Sequence, residues 1–190
     1  VNPAQFGRNE DLSTYPRDLD RDLKLLEARG TGYVFYPDVS EVYTPEHLSW
    51  VDVEELSSLL CGKSRPGHFR GVATIVLKLI NIIQPDYMYM GIKDFQQVVV
   101  LERMLLDLNL DTRITRCPIV READGLAMSS RNSYLNPSER IAALCLSQSL
   151  YVARHSFSQG ERDCEVLTAI ASQIILSAGG KIDYVQCVDP

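Results

Sequence analysis

One stretch constrains the fold of this chain more than any other. An apolar run, Tyr87-Met88-Tyr89-Met90, enters Gly91-Ile92-Lys93-Asp94-Phe95-Gln96-Gln97, and a strongly periodic run over residues 98–108 leaves it. The first run reads as a buried strand. The last reads as a helix, with Val98, Leu101, Met104, Leu105 and Leu108 on a core-facing stripe. Glycine at the joint lets the backbone turn with little hindrance, and Asp94 is placed to cap the helix. The first N–H groups of a helix lack partners and lie at the positive end of its dipole, so such a turn suits an anion. Lys93 fits a phosphate there, and Gln96 and Gln97 offer amide donors and acceptors to a small polar substrate. The same residues also read as an ordinary strand-to-helix turn with a solvated lysine.

The rest of the chain repeats this alternation. Helices are expected over residues 18–28, 71–83, 136–155 and 161–177, with a shorter helical piece near 53–60. In the helix at 18–28, Leu19, Leu23 and Leu26 share a face, and Asp20 and Asp22 suit the first turn. Asn136-Pro137-Ser138-Glu139 has the residues of a capping box. Strands are expected at 33–36, 49–53, 112–117 and 182–188. Alternating strands and helices argue for a mainly parallel, Rossmann-like sheet flanked by helices. Two successive helices after Val120 argue for a second, smaller α+β unit, dividing the chain into 1–119 and 120–190. In such sheets ligands bind beyond the carboxyl ends of the strands, so the Gly91 turn and the loop carrying Met128-Ser129-Ser130-Arg131 are candidates to face one cleft. Two hydroxyls and a guanidinium can surround phosphate oxygens. Gly62-Lys63-Ser64 resembles the end of a P-loop, but Ser57 stands where that motif needs glycine.

Composition excludes several classes. A net charge of −6 without a Lys/Arg run argues against a general nucleic-acid binder. No apolar stretch approaches the ~18–20 residues of a membrane span, and no signal-peptide pattern opens the sequence. The five cysteines contain no C-x-x-C pair, so a zinc ribbon or redox motif is not expected. Several lie in apolar runs as small buried hydrophobes, which fits a reducing, cytoplasmic setting.

Taken together, several stretches resemble the pantothenate synthetase (pantoate–β-alanine ligase) family. They are Val1-Asn2-Pro3-Ala4-Gln5-Phe6, Tyr15-Pro16-Arg17, Ser64-Arg65-Pro66-Gly67-His68-Phe69-Arg70-Gly71-Val72, Gln84-Pro85-Asp86, the Gly91–Gln97 turn, and Arg121-Glu122-Ala123-Asp124-Gly125-Leu126-Ala127-Met128-Ser129-Ser130-Arg131-Asn132. The resemblance implies a nucleotidylyltransferase-type fold and ATP-dependent condensation of pantoate with β-alanine through a pantoyl adenylate. It implies that Gln5 and Gln97 bind pantoate, with Gln5 also near β-alanine. Gly91, Ile92, Lys93, Asp94, Val120, Met128, Ser129, Ser130 and Arg131 would line the ATP site, with Lys93, Ser129, Ser130 and Arg131 acting on the phosphates. Mg²⁺ would accompany the nucleotide, with Asp22 as an outer contributor. A homodimer is the implied assembly. Arg65 and His68 lie in a family motif without an assigned role. The sequence departs from the family at Ile92, where glutamate is usual. It also starts beyond the family's first strand and His-x-Gly-His signature, which His47, His68 and His155 do not replace. The resemblance therefore implies truncation at both ends. The alternatives are an impaired nucleotide-binding fragment or another adenylate-forming enzyme of the same branch.

Overall fold

The structure is a computed structural model, and it describes residues 1–189. Pro190, the last residue of the expected second domain, lies outside the described residues. In chain order the helices and strands are α1 (Leu19–Glu27), α2 (Val39–Val42), α3 (Cys61–Ser64), α4 (His68–Ile83), β1 (Tyr87–Gly91), α5 (Phe95–Asp107), β2 (Arg113–Cys117), α6 (Pro137–Ala142), α7 (Cys145–Ser158) and α8 (Cys164–Ser177). Strands β1 and β2 pair in a two-stranded parallel sheet with α5 between them, the crossover expected of an α/β chain. The chain divides into two compact units. One comprises Val1–Met88 with Val100–Ile114, and the other Tyr89–Val99 with the chain from Thr115 onward.

Four of the five residues expected on the core-facing stripe are buried, and Leu108, just past the end of α5, is not. Val98, Val100 and Leu101 are fully buried, Met104 and Leu105 nearly so, while Leu108 is 46% exposed. In the first unit α4 presents Phe69, Val72, Ala73 and Ile80 to the core. It starts at His68, three residues earlier than periodicity suggests, because Gly67 enters it at φ +82°. Gln84, in the left-handed region at φ +51°, ends it before Pro85. In the second unit α7 packs on α8, burying Cys145, Ser149, Leu167, Ala171 and Ile175.

Three expected strands do not form. The runs at 33–36, 49–53 and 182–188 have no ladder partner among the described residues. A strand is stable only when its N–H and C=O groups are paired by a neighbour. Tyr33 is consequently 97% exposed and Tyr36 64%. The run at 49–53 instead docks through a side chain, with Val51 N–H donating to Thr74 Oγ1 at 2.9 Å. The helix expected over 136–155 breaks into α6 and α7. Leu144 keeps helical torsions, φ −63° and ψ −21°, but its N–H donates to Ile141, three residues back, which tightens the turn. Its start is as expected: Asn136 Oδ1 accepts from Glu139 N–H at 2.9 Å, and Glu139 Oε2 accepts from Asn136 N–H at 2.9 Å. Helix α1 has Asp18 as its cap but buries none of its residues, so its leucine face is half-exposed. The piece near 53–60 is a single 3₁₀ turn, Leu56–Ser58. Of the cysteines only Cys145 is buried, while Cys164 and Cys187 are exposed. Burial first, then the neighbouring Cys164 thiol, pushes the Cys187 thiol upward.

Candidate active site

The Gly91 turn ends β1 as anticipated, but its details differ. Gly91 has φ −70° and ψ 127°, which any residue adopts, so its backbone does not require glycine. Its missing side chain instead leaves open space at the strand end, since nothing lies within 4 Å of where a Cβ would be. Ile92–Asp94 form a 3₁₀ turn that runs into α5, and no side chain caps it at Gly91. Asp94 closes this 3₁₀ turn and stands immediately before α5. Its Oδ1 lies 3.5 Å from Lys93 Nζ, and both side chains are largely exposed, so the pair is weak. Ile92, Gln96 and Gln97 are half-buried. Beside the turn, the Arg116 guanidinium lies 5.3 Å from the centre of the Phe95 ring.

The Met128–Arg131 loop is held on a small hairpin. Arg121 and Ala127 form an antiparallel bridge, Glu122 N–H donates to Leu126 O at 2.8 Å, and Met128 N–H donates to Val120 O at 3.0 Å. Gly125 turns the hairpin at φ +98°, a conformation that favours glycine. Arg140, from α6, bridges Glu122 at 2.9 Å and Asp124 at 2.7 Å. The Leu126 backbone N–H, then Arg140, holds the Asp124 carboxyl below the usual range. Asn132 Nδ2 donates to Glu122 and to Ala127 O, both at 3.1 Å. Ser129 Oγ accepts from Arg131 N–H at 3.3 Å and opens a 3₁₀ turn, Ser130–Tyr134. Val120, Met128, Ser130 and Arg131 are exposed on this fixed frame, and Ser129 is half-buried.

Gln5 belongs to the first unit, in a 3₁₀ turn, Pro3–Gln5, pinned to the start of α4. His68 is 7% exposed. Its Nδ1 lies 2.9 Å from Gln5 O and its Nε2 3.2 Å from an Arg65 nitrogen. A carbonyl only accepts and a guanidinium only donates, so the ring is neutral with its proton on Nδ1. Arg65 forks onto Glu10, Nε to Oε1 at 2.8 Å and the second nitrogen to Oε2. That hydrogen bond holds the Glu10 carboxyl below its ordinary value and raises Arg65. Asn2 Nδ2 donates to Gln5 Oε1 at 3.0 Å and to Gly71 O at 3.1 Å, while Asn2 Oδ1 accepts from the Tyr43 hydroxyl at 2.9 Å. Gly71 is required: a Cβ there would stand 2.2 Å from Ala4 O.

The structure thus gathers Gly91, Ile92, Lys93, Asp94, Gln97, Val120 and Met128–Arg131 into one unit, and Gln5 and Asp22 into the other. Asp22 is exposed in the first turn of α1, and among the described residues no three His, Cys, Asp or Glu side chains gather as a metal cage. Asn2, Glu10 and Tyr43 escaped the sequence reading, because each acts through a partner tens of residues away. The Arg65-x-x-His68 spacing at a helix start was the available signal. The region that resembled a P-loop is packing: a Cβ on buried Gly62 would meet Ser57 O at 1.9 Å.

The family model described as pantoate-beta-alanine ligase matches residues 1–190. Pantothenate synthetase of Thermotoga neapolitana is 54% identical over 190 residues, all of this chain and 68% of that protein. That of Geobacter sulfurreducens is 52% identical over 185 residues, 97% of this chain and 65% of the relative. The crystal structure of pantothenate synthetase from Thermus thermophilus superposes with a TM-score of 0.89 at 42% identity, covering 93% of this chain and 64% of that one. Pantoate-beta-alanine ligase from Francisella tularensis, complexed with beta-gamma ATP and beta-alanine, gives 0.83 at 34% identity, covering all of this chain and 69% of that one. The chain therefore spans about two thirds of the length of these proteins.

Proposed function

The chain belongs to the pantoate-beta-alanine ligase family, and from that premise we propose that it takes part in joining pantoate to β-alanine at the expense of ATP. A pantoate carboxylate oxygen attacks the α-phosphorus, the bond to the β-phosphate breaks, and pyrophosphate leaves. The β-alanine amine then attacks the acyl carbon, loses a proton, and displaces AMP. Pantoate and the amine supply both nucleophiles, so the protein's part is positioning and charge stabilisation.

The observation that carries this reading is that one unit holds both an uncapped turn bearing Lys93 and a loop offering Ser129, Ser130 and Arg131 from a rigid hairpin. Lys93, Ser129, Ser130 and Arg131 hold the phosphates. Gly91, Ile92, Asp94, Val120 and Met128 line the nucleotide, the open space at Gly91 admitting it closely. Gln5 and Gln97 bind pantoate, and Gln5 also serves β-alanine. Asp22, an exposed carboxylate, would serve as an outer contributor to Mg²⁺, which would supply neutralisation of phosphate charge. A cytoplasmic homodimer accompanies the reading, and no described helix is long and apolar enough to cross a membrane. We propose the boundary between the nucleotide-binding and smaller domains at 119/120, which falls within the second compact unit, between the Lys93 turn and the Met128–Arg131 loop.

The test is AMP formation from ATP and Mg²⁺, with pantoate and β-alanine each omitted in turn. Pantoate-dependent pyrophosphate release supports the proposal. Release with other acids but not pantoate would assign the chain to another adenylate-forming enzyme. No nucleotide turnover or binding under any acid would overturn it.

A further inference from the structure

Gln97 and Gln5 carry the same functional group, but only Gln5 has its amide oxygen engaged by a fixed neighbour. An amide side chain has a donor end and an acceptor end, and which end faces a ligand decides what it recognises. That choice is settled around Gln5 by backbone groups that cannot reverse. Ala4 N–H can only donate, and it lies 3.3 Å from Asn2 Oδ1. Gly71 O can only accept, and it lies 3.1 Å from Asn2 Nδ2. Asn2 is thereby oriented without ambiguity. Its Nδ2 then faces Gln5, so the Gln5 atom 3.0 Å away is the oxygen. Tyr43 reinforces the choice with a hydroxyl 2.9 Å from Asn2 Oδ1, and burial raises its pKa, keeping the hydroxyl a donor. The Tyr43 ring is itself stacked on Trp50, 6.1 Å between centroids. His68, Arg65 and Glu10 hold the backbone of Gln5 from the other side.

We propose that Tyr43 and Asn2 are positioning residues that lock the Gln5 amide with Nε2 toward the ligand, making Gln5 a donor that recognises only an oxygen acceptor. Resting on the proposed role of Gln5 in substrate binding, this selects which part of each substrate it meets. A hydroxyl or carboxylate oxygen of pantoate can accept from Nε2. The ammonium of β-alanine, all donors, cannot, so β-alanine meets Gln5 only through its carboxylate.

The test uses ¹⁵N-labelled full chain and follows the Gln5 side-chain amide. Without ligand, the Gln5 Nε2 group is expected to be rigid on the picosecond–nanosecond timescale, with a ¹⁵N order parameter near that of ordered backbone. Tyr43→Phe keeps the ring stack and removes only the hydroxyl. It should lower that order parameter and weaken pantoate binding about 3- to 10-fold, the value of one hydrogen bond, with ATP binding unchanged. Asn2→Asp replaces the Nδ2 donor by a carboxylate that draws Nε2 to itself, and should weaken pantoate binding on the order of 100-fold. A purely structural role would lower the melting temperature and weaken both ligands alike. Wild-type pantoate affinity in both variants, or a freely reorienting Gln5 amide with a low order parameter in the wild type, overturns the inference. A rigid Gln5 amide whose shifts saturating pantoate does not move leaves the lock intact and overturns the substrate-binding reading instead.

Discussion

The close approach of the N-terminal segment to α4 makes Gly71→Ala the most revealing single change. An added Cβ would lie 2.2 Å from Ala4 O, 2.4 Å from Ala4 C and 2.6 Å from Gln5 N. All three are backbone atoms, so no side chain can swing aside. Restoring ordinary contact requires the segment to retreat by roughly 1 Å. The bonds from Asn2 Nδ2 to Gly71 O, 3.1 Å, and between His68 Nδ1 and Gln5 O, 2.9 Å, would then both stretch beyond useful length. Overpacking of this kind costs about 1–3 kcal/mol, and two lost hydrogen bonds add about 1 kcal/mol each. Gly→Ala in a helix interior returns roughly 1 kcal/mol through propensity. The net expectation is a loss of about 2–4 kcal/mol, read as a fall of roughly 4–16 °C in melting temperature for a chain of this size. Urea unfolding monitored by circular dichroism measures it directly. Gly71→Ala as stable as wild type, or more stable through propensity alone, would refute the packing argument.

Glu10 supplies a pH-dependent counterpart. Its folded pKa lies below the ordinary value of about 4.3, so the stabilisation it contributes is complete above that value and is lost as pH falls through the lower, folded value. Glu10→Gln should therefore be less stable than wild type at pH 7, and the difference should shrink at acid pH, as a series of urea midpoints would reveal. Asn136→Ala removes the side-chain acceptor of the α6 capping box, leaving the backbone N–H bond to Glu139, and should cost about 1 kcal/mol, measured by the same unfolding curve, with little change in nucleotide binding. Lys93→Ala should lower pantoate-dependent pyrophosphate release by at least about 100-fold while leaving the melting temperature within about 1 °C, since its ion-pair partner Asp94 is exposed and the pair is weak.

The parts that were legible from sequence and the parts that were not differ in the range of the interactions that decide them. Helix α5 could be read because its periodicity reports burial directly, and the capping box at Asn136 because both partners lie within four residues. Strand β1 forms where expected but is not the buried strand its apolar run suggests, with Tyr87 54% and Tyr89 70% exposed. The run at 33–36 has strand composition as good as that of β1, yet forms no ladder, because strand formation is settled by a neighbour rather than by the run. The site divides along the same line. The hydroxyls of the Met128–Arg131 loop were visible as a motif, but what makes them rigid is Arg140 reaching back to Glu122, eighteen residues away. Gln5 shows the limit most sharply. The family resemblance implied a substrate role for it, but its polarity is set by Ala4 N–H and Gly71 O acting through Asn2. Two chains with the same glutamine but a different residue at position 43 or 71 would share the motif and present the amide differently. The recognition chemistry of such a site belongs to the tertiary brace, and a motif alone specifies only which functional group is available to it.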